Sequence, residues 1–344
     1  MPGGGAGMGR ATRGGASEEE LMGVQGVVAP AEYLGDQAVQ LAQALVRVNT
    51  VNRHSGDARP GNEGDGQRLL APLLAELGAR LEWFDCPPDV YARMGVLGPR
   101  DRDFADRPNL VGMLDFGAGG PTVVLQGHMD TVDAEGMTLA DPFSGEIRDG
   151  RLWGRGSSDM KGGLASALTA LRTLYDVRHE LRGRVVFASV VEEESNGSGA
   201  GALAVIDRAQ RGELFGGDLR PAGESRRLAD FALCTDGGGP AVWRGYGGVL
   251  TVDLHVVGQS GHPARAGSVS AIDKALVVKG AIDRYRQERE SLGPGRNVNL
   301  GVLRGGTHPA VVAGAALMSL NMSYVAADAA ASLAAGHPFG NAPG

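Results

Sequence analysis

Four short segments of the 344-residue sequence gather the side chains that metal and proton chemistry uses. The first, Gly127-His128-Met129-Asp130, follows the apolar run TVVLQ. His128 and Asp130 are two apart, so in extended chain they point the same way. That spacing suits a metal-bound imidazole whose other nitrogen is held by a carboxylate, although an ordinary polar loop has the same look. In the second, Asp159 sits among glycines in GRGSSDMKGG. It is either the N-cap of the helix that follows or a functional acid in an unusual backbone. The third is Glu192, Glu193 and Glu194 after the apolar RVVFASV. Three adjacent carboxylates beside a buried strand are costly unless a cation neutralises them or one keeps its proton; a solvated charge run is the bland reading. The fourth is Asp236 in TDGGG. Open α/β sheets place ligands at the C-terminal ends of their strands. One histidine and several carboxylates are the donors of a zinc or mixed divalent site. A carboxylate bridging two cations about 3.5–4 Å apart would suit metal-assisted hydrolysis.

The elements that must position these groups alternate. Helical stripes are predicted from Asp36 to Val48, around Leu69–Leu77 up to Gly78, over Gly162–Tyr175 and over Ala200–Ile206. Between them fall strands near Leu110–Leu114, Thr122–Leu125, Arg184–Val191 and Asp230–Cys234. Strands alternating with helices make an α/β layered domain. Near Val242 the texture changes. Thr251–Val257 alternates as a half-exposed antiparallel strand, a long amphipathic helix covers Ser268–Glu290, and strands follow at Val298–Leu303 and Ala316–Tyr324. The expected organisation is a disordered Gly-rich tail at 1–29, a metal-binding domain at 30–240, an α+β module at 241–326 and the start of a return to the first domain at 327–344.

Composition removes other classes. The net charge is −7, from 33 Lys and Arg against 40 Asp and Glu, and no basic block offers a surface for nucleic acid or an anionic membrane. Cys86 and Cys234 are too few for a disulfide framework or a thiolate cluster. No run approaches the ~18 apolar residues of a membrane span. The N-terminus lacks the apolar core of a signal peptide, so a cytoplasmic protein is expected.

The order of GHMDTV, DPFSGEIRDGRLWGRGSSDMKGG, VVEEESNGSGA, the acid of LCTDGGG and GQSGHPARAG resembles the acetylornithine deacetylase, succinyl-diaminopimelate desuccinylase and carboxypeptidase-G family. The resemblance runs from about Ala31 to Tyr324. It implies a three-layer catalytic domain carrying an inserted lid and dimerisation domain, and hydrolysis of an amide in an N-acyl amino acid or small peptide-like substrate. It also implies two divalent metals, zinc before cobalt or manganese. By the same resemblance His128 and Asp236 bind one metal, Asp159 bridges both and Glu194 binds the second. Glu193 is then the general base that activates water, and Asp130 orients His128. A cis peptide is implied at Asp159–Met160. His262 matches a lid histidine that reaches the active site of the partner subunit in a homodimer.

Two departures from the family stand out. Ala310 and Ser323 occupy places where peptidase members carry an Asn and an Arg that grip the substrate carboxylate. Serine cannot replace a bidentate guanidinium, which favours a deacylase over a carboxypeptidase or dipeptidase of the same family. Arg244, Arg265 and Arg304 are possible substitutes. The second departure is that the family supplies a further histidine after the lid, whereas here only His337 follows, close to the lid and in a different context. The expectation is a truncated copy, active as part of a longer protein or else confined to metal binding and dimerisation. Accordingly, the 344-residue chain expressed alone is expected to be poorly soluble, to hold at most about one tight zinc ion, and to show negligible hydrolysis of N-acyl amino acids. Metal analysis finding two tight zinc ions per chain, together with turnover, would overturn this.

Overall fold

The computed structural model describes residues 31–55, 59–99, 102–195, 199–219, 228–237, 242, 247–325 and 327–328. The tail at 1–29, residues 196–198 after the glutamates, Arg244 and His337 lie outside them. The first unit is a five-stranded mixed sheet in the order β1-β2-β6-β3-β7. Its strands are β1 (Arg80–Phe84), β2 (Asn109–Asp115), β3 (Thr122–His128), β6 (Arg184–Val190) and β7 (Phe231–Cys234). β3 pairs in parallel with β6 and with β7, whereas β1–β2 and β2–β6 are antiparallel.

Alternation along the central strands assigns each side chain to one of two cores. Leu110 and Leu114 of β2 with Val185 and Phe187 of β6 face α1 (Ala31–Val46), α2 (Glu63–Glu76) and α4 (Gly162–Asp176), where Leu45, Leu70, Leu74, Leu164 and Leu168 close the layer. The intervening Val111, Met113, Val186, Ala188 and Val190 turn to the other face. There they meet Ala209 of α5 (Ala200–Gln210) and the short turn holding Leu214 and Phe215. This is the three-layer α/β arrangement that the alternating elements predict.

The observed elements adjust several boundaries. Helix α1 begins at Ala31 rather than Asp36, because the core stripe occupies only part of a longer run of helix formers. Helix α2 begins at Glu63, ahead of the Leu69–Leu77 stripe, with Asn62 as N-cap accepting from the Gly64 amide at 2.7 Å. The strand read as Thr122–Leu125 continues to His128. Four further elements have no counterpart among the predicted ones: β1, the helical turn α3 (Val90–Met94), and β4 (Glu146–Arg148) and β5 (Arg151–Trp153), which form a hairpin. The hairpin had a signal, since Asp149 and Gly150 both take positive φ, as a two-residue Asp-Gly turn requires. Strands of three residues are simply too short to show a period.

The second unit is an antiparallel sheet in the order β8-β10-β9, from β8 (Gly248–Val257), β9 (Val298–Gly305) and β10 (Ala315–Tyr324). Helix α6 (Ala271–Ser291) lies on one face. Its Ala271, Ala275 and Ile282 pack on Val298, Ala316, Met318 and Leu320, while Thr251, Asp253 and His255 alternate with the inward Leu254 and Val256. Helix α6 is capped at its N-terminus, Ser270 accepting from the Asp273 amide at 3.1 Å.

No helix among the described residues is long and apolar enough to cross a membrane. The two cysteines differ in access. Cys86 is buried beside Val90 and Tyr91, and burial pushes its thiol up to about 12, whereas Cys234 is exposed on β7. A thiol reagent at pH 8 is therefore expected to titrate one cysteine in the native protein and the second only in denaturant. Rapid native titration of both would show that the packing around Cys86 is wrong.

Candidate metal centre

The parallel strands β6, β3 and β7 end together, which brings residues far apart in the chain to one place. His128 is the last residue of β3 and lies opposite Val190 of β6, and Glu192–Glu194 follow that strand directly. Gln126 of β3 pairs with Cys234 of β7, so Asp236 arrives at the same edge. Asp159 comes from the wound turn Ser157–Lys161 that enters α4. It has extended torsions, φ −126° and ψ 100°, and α4 carries no side-chain cap; the N-cap alternative for Asp159 therefore does not apply. The Asp159–Met160 peptide is cis. Met160 is fully buried and its sulfur receives the His128 amide. A Cβ on Gly127 would come within 2.4 Å of the Met160 methyl and 2.7 Å of Leu164, so a larger residue here would require both side chains to shift.

His128 is the centre of the cluster. Its Nε2 lies 3.0 Å from Asp159 Oδ1, and 3.9 Å from both Glu193 Oε2 and Asp236 Oδ2. One ligand atom each from His128, Asp159 and Glu194 fall within 4.8 Å of one another. Nδ1 of His128 meets the backbone carbonyl of Asp130 at 2.9 Å, and the Asp130 carboxylate stands 3.6 Å away. That carboxylate is fully buried and accepts the amides of Glu193 at 3.2 Å and Glu194 at 2.9 Å. Asp130 thus ties the histidine's strand to the glutamate turn. His262 lies on the exposed loop between β8 and α6, its Nδ1 accepting the Ala264 amide at 3.2 Å. Among the described residues no hydrogen bond or ion pair joins it to the His128 cluster.

The charges are crowded. Burial opposes protonation of His128, but hydrogen bonds to Asp130 and Asp159 and the nearby carboxylate charges push it up to about 12. Burial, then the charges of Asp159 and Glu193, push Glu194 up to about 7. Burial likewise raises Glu193 and Asp236, and the Asp159 charge adds to both, whereas the hydrogen bond with His128 holds Asp159 low. Such mutual repulsion among carboxylates around one imidazole is what a divalent cation relieves, and the donor types suit zinc, cobalt or manganese.

Sequence reading missed the residues beneath this cluster. Glu192 is wholly buried at φ +61° and paired with Arg107 at 2.6 Å. Lys161 is buried too, its Nζ donating to the Val48 carbonyl at 2.8 Å, and burial lowers its ammonium to about 7. The signal for Glu192 was present in the cost of three adjacent carboxylates, but its counter-charge comes from a segment 85 residues earlier (192 − 107), which no spacing rule reaches.

The profile of Peptidase family M20/M25/M40 matches residues 124–318, and the chain belongs to that family. Succinyl-diaminopimelate desuccinylase of Methylobacterium radiotolerans is 33% identical over 231 residues, covering 67% of this chain and 51% of that protein. N-formyl-4-amino-5-aminomethyl-2-methylpyrimidine deformylase of Halalkalibacterium halodurans is 28% identical over 328 residues, 89% of this chain and 67% of that protein. The chain therefore spans about half the length of the desuccinylase it matches. In fold it is similar to the dipeptidase Dug1p of Saccharomyces cerevisiae, with a TM-score of 0.61 and 14% identity over 86% of this chain and 70% of that one. Human carnosine dipeptidase 1 is also similar, with a TM-score of 0.58 and 17% identity over 86% and 72%.

Binding a cation here requires a neutral His128 and an ionised Glu194. Both shifts are upward, so the bare site carries its extra protons at pH 7 and loses them as pH rises. Uptake of zinc at pH 7 should therefore release at least about one proton per ion, read by calorimetry in buffers of different ionisation enthalpy. Uptake without proton release would mean that His128 is already neutral.

Proposed function

We propose that this chain carries the metal-binding part of an amide hydrolase that removes an acyl group from an N-acyl amino acid or a small peptide-like substrate. The observation that carries this reading is the convergence of His128, Asp159 and Glu194 within 4.8 Å, with Glu193 and Asp236 on the same imidazole nitrogen at 3.9 Å. In this proposal His128 and Asp236 hold one divalent metal, Asp159 bridges, and Glu194 holds a second, with zinc preferred over cobalt or manganese. When bound, the metals supply Lewis-acid polarisation of the amide carbonyl and acidify a water.

The remaining chemistry belongs to the protein. Glu193 is 43% exposed in its side chain, so its carboxylate faces the open side of the cluster rather than the core. From there it takes the proton of the attacking water and delivers it to the leaving nitrogen. Asp130 holds His128 and both amides of the glutamate turn, so the base and the ligand beside it move together.

Deacylation is preferred to carboxypeptidase action. Ala310 is exposed in a turn, and the Ser323 hydroxyl is engaged by the Asn297 amide at 2.8 Å, so neither place offers a carboxylate clamp. The names of the desuccinylase and deformylase relatives support the same class.

The three-stranded unit would be the lid and the seat of a homodimer. β8 is an edge strand carrying Val249 and Val257, and α6 exposes Leu276 and Val277, the last 77% exposed. An unpaired edge beside an apolar helix face is what a second copy would cover. His262, which no hydrogen bond or ion pair joins to the His128 cluster among the described residues, would then serve the partner's site. Two cysteines without a disulfide agree with a cytoplasmic location.

The test is Glu193→Gln. Hydrolysis of N-acetyl and N-succinyl amino acids should fall about 10²–10⁴-fold, with metal content unchanged. Loss of a whole metal equivalent in that variant would assign Glu193 as a ligand and move the base to a neighbour.

A further inference from the structure

Beneath the His128 cluster lies a chain of buried polar groups that joins three distant segments. Arg107, just before β2, is wholly buried. Its guanidinium pairs with Glu63 in the first turn of α2, through Nε at 2.9 Å and through Nη2, and the same Nη2 meets Glu192 Oε2 at 2.6 Å. The Asn52 amide continues the chain, donating to Glu192 Oε2 at 3.1 Å and to Asp130 Oδ2 at 2.7 Å. Asp130 then accepts the amides of Glu193 and Glu194. Glu63, Arg107, Glu192, Asn52 and Asp130 are all fully buried.

Three features show that this chain does more than fill space. Glu192 sits at φ +61°, a left-handed conformation that a non-glycine residue adopts only when its surroundings impose it. Its side chain is what Arg107 and Asn52 hold, so they hold the turn as well. That turn sets where the next two residues point, and those are Glu193 and Glu194. Moreover, a planar guanidinium can serve two carboxylates at once through its fork, which a lysine ammonium does only as a point charge.

We propose that Arg107 is a positioning residue of the metal centre, acting through Glu192, Asn52 and Asp130 to fix the Glu193–Glu194 turn against His128. The inference rests on the functional reading above. It assigns to Arg107 no contact with metal or substrate.

Cobalt(II) alone is the probe, because its visible absorption reports ligand geometry as well as occupancy. Arg107→Met in the 344-residue chain should weaken cobalt affinity about 10–100-fold and alter the visible band. Arg107→Lys should recover part of the affinity. Phe187→Leu, a substitution in the core of β6, controls for stability: it should lower the denaturation midpoint and leave affinity and band unchanged. If Arg107→Met does not fold, Asn52→Ala carries the test, since it cuts the same chain and leaves Asp130 its two backbone amides. A folded Arg107→Met, or in its place Asn52→Ala, with wild-type affinity and spectrum would overturn the positioning role and leave the metal site standing. An equal loss in Phe187→Leu would overturn it as well. A wild-type chain that takes up no cobalt would overturn the functional reading and this inference with it.

Discussion

Gathering several carboxylates around one imidazole at the end of three parallel strands is the constraint on which the rest of the molecule depends. Like charges at these distances repel strongly once water is partly excluded, and burial first, with that repulsion added to it, raises Glu193, Glu194 and Asp236. A fold that tolerates such a cluster must hold it by groups that cannot relax away. The parallel register of β3 with β6 and β7 does part of this, because the three strand ends are tied by backbone hydrogen bonds whatever their side chains prefer.

The buried layer beneath does the remainder. Asp130 binds backbone amides rather than facing solvent, Arg107 lies between Glu63 and Glu192, and Lys161 reaches the Val48 carbonyl. Breaking a buried ion pair of this kind by removing one partner commonly costs about 3–5 kcal/mol, since the remaining charge is left desolvated. Positions under the cluster are therefore as constrained as those in it, although they face away from any substrate. The second sheet has a different character. Its core mixes small side chains, Ala271, Ala275 and Ala316, with Ile282, Val298, Met318 and Leu320, and it leaves Val249 and Val257 on an edge strand and Leu276 and Val277 on the helix exposed.

Much was legible in the sequence because it is local. Alternation with period two placed β8, short apolar runs placed β2 and β6, and apolar stripes at helical spacing placed α1 and α2. The acids at strand ends were visible because each apolar run stops abruptly at a His, an Asp or a run of Glu. Those signals needed only neighbours in the chain, as did the Asp149-Gly150 turn, which was there to be used. The motif spacing also carried the family resemblance that the profile over 124–318 establishes.

Only the tertiary structure decided which of three adjacent glutamates faces inward. By local pattern alone Glu192, Glu193 and Glu194 are equivalent carboxylates, and only the family resemblance gives Glu193 and Glu194 separate roles. In the fold, Glu192 is buried on Arg107 in a left-handed conformation, Glu193 is half open, and Glu194 converges on His128 and Asp159. The same holds for Asn52, which no sequence motif marks and which is the buried link between Asp130 and Glu192. Local patterning reports how a segment partitions between water and core, because that preference belongs to the segment itself. An ion pair between residues 63, 107 and 192 belongs to none of them alone, and it exists only once the sheet has brought all three segments together.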